Sequence, residues 1–157
     1  MKKLFLMSVF LLLSFSFFSC NNDDDNVERA SLVSKWQPYK LTQSAVLSTG
    51  SVSNTTDFND CQQRSRVTFN SDKSGNSTLY GYENRNCLIQ ADSNFTYSYN
   101  PDNNELVVRN PDGSTQTGTV QSLTATDLVY KLVGVYDYEG EENVEVTTII
   151  SARKVTN

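Results

Sequence analysis

From Leu32 to Arg153 apolar and polar residues alternate, and no stretch of a dozen residues carries an apolar stripe at helical spacing. A period of two marks a strand with one buried face. The segments that carry it are 32–41, 64–70, 76–83, one that starts at Leu88 or Phe95 and ends at Tyr99, then 105–109, 115–123, 128–136 and 143–153. They predict an all-β domain of eight strands. The connectors Asn70–Gly75, Asn100–Asn104, Asn110–Gly113 and Glu139–Asn143 are short. They hold Pro, which fixes φ, and Gly or Asn, which tolerate positive φ. Links this short join neighbours, so the strands should follow one another as an antiparallel up-and-down meander. The link over 42–63 is different. It is long and rich in Ser and Thr, and it reads as a loop of the kind that forms lids or binding elements.

Eight antiparallel strands in chain order can close into a barrel whose interior holds side chains or one small ligand. Four short motifs bear on that possibility: Leu32-Val33-Ser34-Lys35-Trp36, Arg66–Asn70, Asn104–Val108 and Leu123–Val129, with Cys61 and Cys87 bracketing the second. Together they resemble the lipocalin-like lipoprotein domains common in Bacteroidetes, over roughly residues 30 to 155. Ser34 stands where lipocalins usually carry Gly. The resemblance implies that Trp36 closes one end of the barrel as a structural residue. It also implies that a basic residue of the last strand, Arg153, packs over the Trp36 ring in a cation–π contact worth about 0.5–2 kcal/mol.

Alternation also assigns faces. Val67 and Phe69 share one, as do Phe95, Tyr97 and Tyr99, then Leu106 and Val108, then Leu128, Tyr130 and Leu132. These faces should point inward, which makes Phe69, Tyr97, Tyr99, Leu106, Val108 and Tyr130 the candidate lining of a cavity. Five of the eight Phe lie before Ser19, whereas all eight Tyr lie after it. Enclosed rings with hydroxyls need a polar partner or water. A ligand cavity would supply one, and so would a filled barrel with hydroxyls at its rim; alternation leaves both open.

The N-terminus carries an address. Lys2 and Lys3 precede an apolar run from Leu4 to Phe18, broken only by Ser8, Ser14 and Ser16, and Ser19 stands just before Cys20. The run is shorter than the roughly 20 residues a helix needs to span hydrocarbon. A cysteine after a small residue at this place resembles the lipobox of bacterial lipoproteins. That implies removal of residues 1–19, acylation of Cys20, a tether over 20–30 and a barrel domain over 31–157. Ordinary secretion with Cys20 as a free thiol is the alternative. Two or three acyl chains, at about 0.8 kcal/mol per buried CH2, anchor a protein without spanning the membrane. Asp23, Asp24 and Asp25 are either a solvated linker or, by their place after Cys20, similar to the signal that exports Bacteroidetes lipoproteins. The expected location is then the outer membrane, lipid-anchored and exposed at the cell surface. With Cys20 acylated, Cys61 and Cys87 remain as a pair in an oxidising compartment and should form one disulfide, worth roughly 3 to 4 kcal/mol on the chain-entropy argument.

The chain has no histidine, which removes Ser-His and Cys-His pairs, His-based zinc sites and imidazole acid–base chemistry. Its formal charge of −5 becomes more negative once Lys2 and Lys3 leave with the leader, which disfavours nucleic acid. Asp57 and Asp60, and the group Glu139, Glu141 and Glu142, read as solvated acidic turns rather than as a calcium site or a glycosidase pair. No catalytic residue, metal or cofactor is expected. Two functions remain: an envelope or surface lipoprotein that binds a small apolar or amphipathic ligand in its barrel, or a non-catalytic protein-interaction module. The second would be a hydrolase inhibitor or a subunit of an outer-membrane assembly. The direction in which the Tyr rings point separates them.

Overall fold

A computed structural model describes residues 30–156. The leader, Cys20 and Asp23–Asp25 lie outside the described residues. Among the described residues nine strands follow one another: β1 (Ser34–Leu47), β2 (Gly50–Asp57), β3 (Arg66–Phe69), β4 (Ser74–Glu83), β5 (Asn86–Asn100), β6 (Glu105–Arg109), β7 (Thr115–Leu123), β8 (Asp127–Tyr138) and β9 (Glu141–Lys154). From β3 onward each strand pairs antiparallel with the next, and β9 returns to pair with β1 from Trp36 to Ala45, which closes the barrel. The all-β, eight-membered antiparallel barrel expected from alternation is the observed architecture.

One strand is additional. The link 42–63 is not a loop throughout: β1 continues to Leu47, turns at Ser48–Thr49, and β2 runs back along it in an eight-pair ladder from Leu47↔Gly50 to Lys40↔Asp57. The same edge of β1 pairs with β3 through Ser34–Trp36. The strands β2 and β3 therefore lie end to end along β1, and only β3 goes on to pair with β4, through Arg66–Phe69. Beyond Thr78, β4 pairs with β5 alone among the described residues.

The gap between β2 and upper β4 is occupied by the segment Phe58–Ser65, a strap containing a 3-10 turn over Gln62–Arg64. Backbone and side-chain bonds hold the strap on both sides. Phe58 N–H donates to Tyr39 C=O at 2.8 Å, and Tyr80 N–H donates to Ser65 Oγ at 3.0 Å. The Cys61–Cys87 disulfide ties the strap to β5, and both Cys61 and Ser65 are buried.

The barrel has two unlike ends. Both termini of the domain reach the lower one, with the turns 70–73, 101–104 and 124–126. Val155 N–H donates to Lys35 C=O, and Lys154 N–H to Thr126 C=O. This end is packed solid by Leu32, Trp36, Leu106, Val120, Leu128 and Ala152. Trp36 is fully buried, and its indole Nε1–H donates to Leu32 C=O at 2.9 Å, so the ring is enclosed without leaving a polar group unmet. At the upper end the β1–β2 and β8–β9 turns are joined by one carboxylate: Glu141 accepts from Ser48 Oγ at 2.6 Å and from Ser48 N–H at 3.0 Å.

Two five-residue turns are built alike because their sequences share Asn-x-Asp-x-Ser. In each, the first Asn bonds the last Ser and the Asp carboxylate accepts from that Ser: Asn70 with Asp72 and Ser74, Asn110 with Asp112 and Ser114. The fourth position needs positive φ. Gly113 takes it at 88° without strain, whereas Lys73 takes it at 69°.

Candidate functional site

Alternation along the strands aims one row of side chains into the barrel, and their bulk decides where it fills. In the lower half the row is large: Phe69 meets Tyr97, Phe95 and Tyr130 edge to face, with ring centroids 5.0, 5.6 and 6.1 Å apart. Phe95 fits because Gly75 lies opposite it in the β4–β5 ladder. A methyl group on Gly75 would overlap the Phe95 ring. Above this cluster the inward residues shrink to Ser77 and Ser93, Ala91, and Thr148, and a cavity of about 580 Å³ opens among them. Its walls are mostly apolar, with Leu41, Val67, Leu132, Val146 and Ile150, and Phe58 of the strap closes one side.

Of the six residues expected to line a cavity, Phe69, Val108 and Tyr130 do so. Tyr97 and Leu106 do not: both point inward but sit below the cavity floor, in the packed half. The Tyr97 hydroxyl is spent on Asn70 C=O at 2.7 Å, and the Lys73 ammonium stands 5.5 Å from its ring centroid. Tyr99 lies lower still, beside an open groove at the closed end with Pro101, Asn104 and Leu123. Its hydroxyl bonds Asn104 Oδ1 at 3.2 Å. Residues missed by alternation, Phe58, Leu41, Gln43 and Thr148 among them, come from the strap and from the strands that cross the cavity's height. The apolar character of Leu41 was the one signal that could have placed it.

Arg153 does not cover Trp36. Its guanidinium stands 4.7 Å from the centroid of the Tyr39 ring. The cause is a β-bulge: Pro38 pairs with Ala152 and Lys40 with Ser151, so Tyr39 is an extra residue in β1. Ala152 is buried beside Pro38, which turns its neighbour Arg153 outward with Gln37 and Tyr39.

The electrostatics of the cavity are one-sided. Among the described residues no Lys or Arg lines it, and the single charged residue of its lining is Asp137, exposed at the mouth. Tyr130 is 3% exposed, and burial pushes its phenol far above the ordinary value, so it is protonated at any physiological pH. Its hydroxyl forms no hydrogen bond among the described residues, and no enclosed side-chain oxygen or nitrogen there lacks a partner. The small exposed area of Tyr130 therefore includes its hydroxyl, which opens on the cavity. Among the described residues no three of Cys, Asp or Glu gather as a metal site, and no helix is long and apolar enough to cross a membrane.

The family described as "Lipocalin-like domain" matches residues 32–130. The chain belongs to the lipocalin-like domain family. Solved structures that it is similar to include a deswapped triple mutant of bovine odorant binding protein, at 14% identity over 78% of this chain and 72% of that one, TM-score 0.42. Aphrodisin, a sex pheromone from female hamster, is similar at 11% identity, over 80% and 76% of the two chains, TM-score 0.43. Bovine odorant binding protein in complex with a selenium-containing odorant is similar at 13% identity, over 80% and 71%, TM-score 0.45. No curated protein matches the sequence. These similarities are low; the placement of the lipocalin-like chain rests on its family match and its closed strand order.

Proposed function

We propose that this lipocalin-like chain binds a small, largely apolar molecule in the upper half of its barrel and does no chemistry on it. The observation that carries this reading is the half-hollow interior: one end is sealed by Trp36 and its neighbours, and the other holds about 580 Å³ walled mainly by Leu, Val, Ile and aromatic side chains. That volume is within the range of small-molecule sites. The test is displacement of an environment-sensitive dye from the purified protein, with native mass spectrometry for a co-purifying ligand. A protein that binds neither dye nor any small molecule overturns the reading.

The same proposal includes a lipid anchor at Cys20 and display on the outer membrane, which the leader sequence and Asp23–Asp25 support. Cys20→Ala should move the protein to the soluble fraction and abolish labelling by a palmitate analogue. Replacing the three aspartates with Ala should keep acylation but reduce protease access in whole cells.

An interaction module is the second reading. It is favoured by the outer part of the β4–β5 hairpin, which exposes Tyr82, Leu88 and Ile89. An apolar hairpin tip of this kind suits a protein partner. Substituting these three by Ser should leave dye binding unchanged if the cavity is the functional site.

A further inference from the structure

Three features of the cavity bear on what kind of molecule it takes, and they deepen the ligand-binding reading on which this inference rests. The first is the Tyr130 hydroxyl, which has no hydrogen-bond partner among the described residues although its residue is almost wholly buried. A phenol that opens on an apolar space is a donor in wait of an acceptor. The second is the charge of the lining, which among the described residues contains no cation and has Asp137 at its mouth. An ionised carboxylate drawn inside would lose its hydration with no cation to pair with, and would pass a like charge on entry. The third is position: Tyr130 pairs with Ile150 across β8 and β9 and its ring rests on Phe69, so the hydroxyl belongs to the floor of the cavity and not to its rim.

The geometry points to a neutral ligand with an apolar body and one uncharged acceptor oxygen, a ketone, ester or ether, that accepts a hydrogen bond from Tyr130 Oη–H at the cavity floor. The apolar walls supply affinity for any molecule of fitting size. Tyr130 supplies the preference among them, and the missing cation excludes fatty carboxylates. Gln43, Ser77, Ser93 and Thr148 stand higher in the cavity, where they serve an acceptor less well enclosed from water.

The test uses three probes of equal chain length, 2-decanone, decane and decanoate, each displacing a bound hydrophobic dye from the exported protein. The protein carries Cys20→Ser, so that no acyl chain competes for the site. The ketone should bind tightest, and Tyr130→Phe should weaken it about two- to tenfold, the range of one net hydrogen bond, while leaving decane within twofold. Decanoate at neutral pH should bind at least about tenfold more weakly than the ketone. A second variant, Thr148→Lys, places a cation in the lining and should bring decanoate up to the ketone or beyond it. If Tyr130→Phe shifts ketone and decane equally, or shifts neither, the anchoring role is overturned. If decanoate binds tightest to the unaltered cavity, the charge argument is overturned. If the dye binds but none of the three probes displaces it, the neutral-ligand proposal is overturned; a protein that binds neither dye nor probe is a different result, and sinks the ligand-binding reading itself.

Discussion

The rings of Phe69 and Tyr130 meet edge to face, 6.1 Å apart at 87°, and this contact is the boundary between the packed and hollow halves of the barrel. Phe69 faces Tyr97 and Phe95 on one side and the cavity on the other. Truncating it should therefore carry nearly the full cost of a buried aromatic and also deepen the cavity. Phe69→Ala is expected to lose about 3–5 kcal/mol in urea melts and to change the dye-binding signal. Leu79→Ala, on a cavity wall and 40% exposed, should cost less than about 1 kcal/mol while still altering dye affinity.

Gly75 and Phe95 should prove coupled. The clash of a Cβ at position 75 with the Phe95 ring and with Thr68 C=O leads us to expect Gly75→Ala to destabilise by about 1–3 kcal/mol, the usual cost of overpacking. Shortening the ring in a Gly75→Ala, Phe95→Leu double variant should recover part of that loss. A double-mutant cycle on thermal melts reads the coupling, and strict additivity would contradict the close approach.

Loss of the disulfide should be felt chiefly in the strap. Cys87→Ser frees a 26-residue separation and is expected to cost about 3 kcal/mol, a fall of roughly 10 °C in Tm for a domain of this size. Non-reducing peptide mapping should find Cys61 joined to Cys87 in the purified protein. Hydrogen exchange should show the largest loss of protection at Phe58–Ser65 and upper β4.

Three surface carboxylates contribute to the acid limb of stability. The Ser74 hydroxyl and N–H hold Asp72 below its ordinary value of 3.8, the Ser114 hydroxyl and N–H do the same for Asp112, and the Asn76 amide and Thr78 hydroxyl lower Asp92. Groups depressed by folding contribute fully above the unfolded value and lose that contribution as pH falls through the folded one. These three should thus leave Tm unchanged across the neutral range, with their loss confined to below about pH 4–5. An Asp72→Asn, Asp112→Asn variant should show a shallower acid decline in a Tm-versus-pH series.

The strands that alternation identifies are those with a buried face. The bounds of β6 and β7 match because Leu106 and Val108 alternate cleanly and Asn110–Gly113 punctuates them. β2 is invisible to that reading because Gly50–Asp57 carries one apolar residue, Val52, and little of it is buried; pairing with β1 specifies it. Face and height are also different quantities. Phe69, Tyr97, Leu106 and Tyr130 all point inward, but a strand's period says nothing of its stagger along the barrel axis, so Tyr97 and Leu106 were indistinguishable from true lining. Arg153 was misassigned for a related reason: a single extra residue, Tyr39, shifts what stands beside it.

The strap has a kinetic consequence. Phe58–Ser65 is not part of a ladder: it is held over the gap between β2 and upper β4 by a few bonds and one covalent tie. Local opening begins where the fewest cooperative contacts must break, which makes this side panel a low-barrier route between cavity and solvent. The tie at Cys61 lets the panel swing without detaching. The residence time of a bound molecule should then follow the rate of that swing, so that two ligands of unequal affinity could leave at similar rates, and reduction of the disulfide would shorten both.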